Sequence, residues 1–233
     1  MEIASNPNTV FSMVHVSLGV AAVLAGAVAF IARKGARAHI LAGRLFVASM
    51  ALSCTLGAIL GLVKFETLYI TSHAGILAFT LVISGWTTVR IHSRRMARAM
   101  RVIGVVNAMN AIALIVAGLR AQAMTDGALF GFPAEDYFFL SAMAGLALVG
   151  DAKVLIGKDF SNRNRIARHL WRMCLGFFIA AGSAFTGPGA DAFPEAIRHS
   201  GLLALPELII ITLMLFWLGN TYFRSGARRQ RSV

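Results

Sequence analysis

The stretch VFSMVHVSLGVAAVLAGAVAFIA, residues 10–32, decides the fold. It carries no charged residue, and Arg33-Lys34-Gly35 ends it with two bases and a turn former. A helix rises about 1.5 Å per residue, so about 20 apolar residues cross a hydrocarbon core of about 30 Å. A cleaved signal peptide has a shorter apolar region with basic residues in front of it; here the first base is Arg33. The stretch is therefore expected to stay in the protein as its first membrane span.

Six further runs of the same kind follow, giving expected spans at about 10–32, 40–63, 69–89, 102–119, 137–157, 171–187 and 202–222. The fifth contains Asp151 and Lys153, and the sixth is short, ending at Thr186-Gly187-Pro188. No long polar segment is left over, so the 233 residues read as one transmembrane domain. The composition agrees. Hydrophobic residues make up 58% and charged residues 14%, against about 25% charged in ordinary soluble domains. The mean hydropathy is +0.72. A net charge of +12 would ordinarily suggest nucleic acid. A chain this apolar excludes that partner, and the expected surroundings are a lipid bilayer with anionic lipid at the cytoplasmic face. Cys54 and Cys174 both lie in apolar runs and suggest no disulfide framework.

The charge is distributed by side. Nineteen of the 22 Lys and Arg fall in the turn after span one, the turn after span three, the connection between spans five and six, and the tail. Lys64, Arg120 and Arg198 fall on the other side, together with Glu2, Glu66, Asp126, Glu135, Asp136, Asp191 and Glu195. Basic loops stay in the cytoplasm, which predicts the N-terminus outside and the C-terminus cytoplasmic. An odd number of spans satisfies that arrangement. The fold class expected is an all-α polytopic membrane bundle of seven transmembrane helices.

Polar side chains inside a span are costly, so each is a candidate for function. On span three, His73, Thr80, Ser84 and Thr87 share a narrow face; span one presents His15, Gly19, Ala22 and Gly26; span two presents Ser49, Ser53, Gly57 and Gly61; span four offers Asn107 and Asn110. Close helix packing explains the small-residue stripes of spans two and four. His15 lies about 8 Å and His73 about 6 Å below the outer ends of their helices. Glu207 lies about 8–10 Å down the last helix, behind Pro206, which is expected to kink it. His15, His73 and Glu207 thus share one depth and form a candidate metal set. On the inner side stand His39, His92, His169 and Asp151; an ion pair with Arg168, Arg172 or Lys153 is the expected role of Asp151, and a proton or substrate role the alternative. A faint echo also runs through the chain: His15 precedes Arg33 by 18 residues and His73 precedes Arg90 by 17. Topology rules or a hairpin duplication would produce it.

His15-x3-Gly19, Arg33-Lys34-Gly35, His39-x3-Gly43-Arg44 and Arg168-His-Leu-Trp-Arg-Met173 resemble the motifs of a broad group of bacterial multi-spanning membrane proteins known as a domain of unknown function. The likeness covers the first three and last two spans. It implies a multi-pass protein of the bacterial inner membrane and carries no activity with it.

The functional expectation is a membrane redox protein that binds haem b or a transition metal through His15, His73, His39 and His169, since neutral imidazoles on facing helices are what such a centre requires. Two alternatives stand beside it. One is a proton-coupled transporter built around Glu207, with Asp151 as a second titrating group. The other is a non-catalytic subunit or assembly partner. A retinal protein is excluded because residues 202–222 hold no lysine, and a seven-helix zinc hydrolase because no two histidines stand four apart. No Gly-x-Ser-x-Gly setting for a serine nucleophile is present.

Overall fold

The computed structural model describes residues 7–90, 94–156 and 161–230. Glu2, His92, Lys158, Asp159 and Arg231 lie outside the described residues. The described helices are α1 (Pro7–Ile31), α2 (Arg37–Val63), α3 (Phe65–Arg90), α4 (Arg94–Ala123), α5 (Ala134–Leu155), α6 (Asn162–Phe185), the single turn α7 (Glu195–Arg198) and α8 (Leu205–Gln230). An apolar chain in lipid must satisfy its backbone within each segment, and helices do so. Six helices are long and apolar enough to cross a membrane: those spanning Thr9–Ile31, Arg37–Gly61, Phe65–Arg90, Arg98–Ala123, Ala134–Val154 and Leu202–Phe223. The bundle is all-α and fits a multi-pass membrane protein. Large apolar side chains point outward along it, among them Leu24 and Val28 on α1, Met109 and Ile112 on α4, and Leu215 and Phe216 on α8.

The sixth expected span, 171–187, differs from the other six. α6 is 24 residues long and begins nine residues before the expected start, taking Arg163, Arg165, Arg168 and Arg172 into its first half. It is therefore not among the six apolar helices. Hydropathy ended the expected span at the basic run, whereas Arg168 and Arg172 are buried inside the protein. Its N-terminus is capped by Ser161, whose hydroxyl accepts from the Asn164 amide at 3.3 Å.

Helices α1–α2, α2–α3 and α4–α5 pack as neighbours in sequence; α3 also packs against α6, and α6 against α8 and α1. α3 and α6 hold the centre, and the main core runs from Ala22, Phe46 and Leu77 through Ala144 and Phe177 to Ile210. Small residues set the spacing, as expected where lipid supplies no hydrophobic drive between helices. A β-carbon on Gly176 of α6 would lie 2.5 Å from Val82 of α3, and one on Gly26 of α1 2.8 Å from the Phe177 ring.

The connections follow the expected economy. Lys64 alone separates α2 from α3, and its amide closes α2 on the Leu60 carbonyl at 2.8 Å. Gly35, at φ +83°, makes the left-handed turn between α1 and α2. The aromatic loop between α4 and α5 is a hairpin, with β1 (Ala128–Leu129) pairing antiparallel with β2 (Phe132–Pro133). Phe130 and Gly131 at its tip both take positive φ, the requirement of a type I′ turn. The molecule thus has a basic end, at the Arg33–Arg37 turn, and an acidic end, at this hairpin.

Candidate functional site

At the basic end, α1, α2, α3 and α6 leave a cleft of about 240 Å³. Phe30, Phe46, Trp86 and Phe177 wall it with Leu170 and Met173; His39 and His169 stand in it, and Lys34, Arg44 and Arg90 supply positive charge. Among the described residues, none that lines it is acidic. The two imidazoles arrive from different helices and are held alike. His39 Nδ1, in the first turn of α2, lies 2.9 Å from the Ala29 carbonyl of α1. His169 Nδ1, on α6, lies 3.0 Å from the Gly85 carbonyl of α3. A carbonyl only accepts, so Nδ1 carries the hydrogen in both rings and the neutral ring keeps its lone pair on Nε2. Such a bond orients a histidine for ligation and raises the basicity of its second nitrogen.

Lys34 closes one side of the cleft. Its ammonium donates to the Phe30 carbonyl at the end of α1, where a cation complements the helix dipole. It also lies 5.6 Å from the ring centres of Phe30 and of Trp217 on α8. Burial pulls its pKa below the usual lysine value, while nearby Cys174 acts in the opposite sense.

Behind the cleft is a buried ionic cluster. Asp151, fully buried on α5, receives Arg168 at 2.5 Å and Arg172 at 2.8 Å on the same oxygen, Oδ1. Asn107 donates to its other oxygen at 3.2 Å and itself accepts from Thr80 at 2.7 Å. Arg168 also donates to the Gly150 carbonyl and to Thr88 Oγ1, at 2.6 and 3.1 Å. Arg172 donates to Ser84 and to the Ala147 carbonyl, and its guanidinium lies 4.8 Å from the Trp171 ring centre. The expected ion pair of Asp151 is therefore present and doubled, and exposed Lys153 has no part in it. On the expected polar face of α3, Thr80 and Ser84 serve this cluster or its partners, Thr87 donates to the Ser84 carbonyl at 3.1 Å, and Thr88, outside that face, accepts from Arg168.

The acidic end treats its histidines differently. His15 Nδ1 bonds the Ser53 carbonyl of α2 at 2.8 Å, while Ser53 Oγ donates back to the His15 carbonyl at 3.0 Å. His73 Nδ1 bonds Asn110 Oδ1 of α4 at 2.5 Å, and Asn110 Nδ2 returns to the His73 carbonyl at 3.2 Å. The two pairs are 38 and 37 residues apart in sequence, so the echo between the first and second helix hairpins extends to their contacts. Each histidine is locked within its own hairpin. Tyr69 packs edge-on to His73, ring centres 4.6 Å apart, and leads to Phe130 at the hairpin tip.

Glu207 corrects an expectation. α8 begins at Leu205, so Pro206 lies in the first turn, where proline is tolerated, and no kink results. Glu207 is a first-turn carboxylate, favourable at a helix N-terminus, and accepts from Thr186 Oγ1 at 3.1 Å. His15, His73 and Glu207 thus bond three separate partners. Among the described residues no three His, Cys, Asp or Glu side chains are grouped to hold a metal ion. The expected metal set is not assembled. Equal depth on three helices was the argument for it, and depth says nothing about which way each helix faces. His199 is exposed and 3.8 Å from Glu195, one turn away.

The chain matches no family model, no curated protein and no solved structure. The site must be read from its own geometry. The sequence already singled out the four histidines and Asp151; it missed the cleft's aromatic walls and the carbonyls of Ala29 and Gly85, which side-chain chemistry alone does not mark.

Proposed function

We propose that the protein is a seven-span, haem-binding redox protein of the bacterial inner membrane, with its N-terminus outside and its basic end in the cytoplasm. His39 and His169 are the residues that would hold its iron. The observation that carries this reading is their convergence in one cleft, each Nδ1 bonded to a backbone carbonyl and each Nε2 keeping its lone pair. Two imidazoles with no carboxylate among the described lining residues suit a b-type haem better than a hard cation. A metal ion held by protein alone would call for a third donor. The aromatic walls suit a flat conjugated macrocycle, and Lys34, Arg44 and Arg90 suit its propionates. Bound haem would supply one-electron chemistry at the cytoplasmic face. The protein supplies two oriented ligands, a water-poor wall and positive charge.

The seven-span topology is supported by the place of α6. It packs between α3 and α8, both apolar enough to cross, and its buried arginines are met by Asp151. The charge asymmetry of the loops supports the orientation. The bacterial inner membrane is what the motif resemblance implies.

The test is absorption spectroscopy on protein purified from cells supplied with a haem precursor. A Soret band and a pyridine haemochrome of about one haem b per chain are expected. Purified protein without a Soret band removes the proposal. C-terminal reporter fusions active only in the cytoplasm are expected; activity outside overturns the orientation.

A further inference from the structure

We propose that the cluster of Asp151, Arg168 and Arg172 raises the electron affinity of the group held by His39 and His169; this rests on the reading of the cleft as a haem site. Two guanidiniums share one carboxylate, so the cluster carries an excess of one positive charge. Arg172 is fully buried, and its Nε has no hydrogen-bond partner among the described residues. Replacing buried ions by apolar residues is commonly neutral or stabilising, so packing alone does not account for a second arginine. Its charge does, because a charge in a medium of low polarity, away from salt, acts over a long range.

Gly85 joins the cluster to the cleft. Its carbonyl holds His169 Nδ1 at 3.0 Å, and a β-carbon placed on it would lie 3.1 Å from Cβ of Arg172. His169 and Arg168 are consecutive on α6, about 100° apart around the helix, so the imidazole enters the cleft while the guanidinium turns to Asp151 on α5. Ligand and charge therefore hang on one turn of one helix.

With haem held there, uptake of one electron would lower the charge of the site by one. A fixed positive charge nearby favours the reduced form and raises the midpoint potential. Asp151, Arg168 and Arg172 touch neither iron nor ligand nitrogen in this account; they act through the field.

The experiment is a spectroscopic redox titration of the purified membrane protein, with dithionite as reductant and ferricyanide as oxidant. Arg172→Gln removes one positive charge and is expected to shift the midpoint to a lower potential. Asp151→Asn removes the negative charge and is expected to shift it to a higher one. Arg172→Lys keeps the charge and is expected to stay near the wild-type value. Opposite shifts are the signature, because mere loosening of the bundle would move both neutralising variants the same way. Where Arg172→Gln yields no folded protein, Asp151→Asn carries the test alone and must raise the midpoint. Unchanged midpoints, or shifts of one sign, with the Soret band intact overturn this inference and leave the haem reading standing. A wild-type protein without a Soret band overturns both.

Discussion

The two ends of the bundle use the same residue for different purposes. At the basic end, His39 and His169 belong to α2 and α6, take their hydrogen bonds from α1 and α3, and meet in one cleft. At the acidic end, His15 and His73 take theirs from the second helix of their own hairpins. Each is answered by a side chain that bonds back, Ser53 or Asn110, in a closed two-way clasp. A half-buried histidine in a membrane helix is thus no site by its presence or its depth. It becomes one when helices distant in sequence bring two of them to the same space. The clasped histidines are fasteners, and the convergent ones are the proposed ligands.

The contrast can be strained in several places, beginning where the largest effect is expected. Asp151→Ala leaves two buried guanidiniums without their carboxylate, and breaking a buried pair in this way costs about 3–5 kcal/mol. Thermal unfolding in detergent should show a large loss of stability, or the protein should fail to accumulate in the membrane. A change below about 1 kcal/mol would mean that water reaches the cluster, and the framework behind the cleft would need revision. At the acidic end, Asn110→Ala opens the clasp on His73 and leaves a partly buried donor and a carbonyl unmet, worth about 1–3 kcal/mol. It should leave any visible spectrum unchanged, and a changed spectrum would make His73 more than a fastener. Glu207→Gln should do least. The amide can still accept from Thr186, so the loss is about the 0.3–1 kcal/mol of a carboxylate at a helix N-terminus. A destabilisation of several kcal/mol there would show that the carboxylate has a partner beyond Thr186.

Much of this was legible beforehand because lipid leaves the chain few choices. The 23-residue run at 10–32 could only be a helix, and the turn at Arg33–Arg37 could only reverse it. The pairing of Asp151 with Arg168 or Arg172 followed from the scarcity of acids among many bases at that level. Two features were not legible, for physical reasons. α6 begins in a basic run, and a hydropathy reading assigns arginine to the surface; only tertiary packing shows that Arg168 and Arg172 are turned inward onto Asp151. Sequence alone puts Glu207 in a kinked span because Pro206 precedes it, yet the 3-10 turn Leu202–Ala204 lets α8 start at Leu205 and makes that proline a first-turn residue. The helix faces of His15 and His73 were likewise beyond a depth argument, since rotation about the axis is set by partners on other helices. The small-residue stripe of α2 did hold a clue: Ser53 and Gly57 stand one turn apart, one bonding the His15 ring and the other leaving it room.

The central claim is that convergence makes His39 and His169 the ligands and leaves His15 and His73 structural. Four single variants, each histidine replaced by alanine in turn, purified in parallel and compared by Soret absorbance per chain, test it most directly. The account predicts that His15→Ala and His73→Ala keep the wild-type band, whereas His39→Ala and His169→Ala lose it or shift it to that of a five-coordinate haem. A band that survives both basic-end substitutions and disappears with either acidic-end one would contradict it.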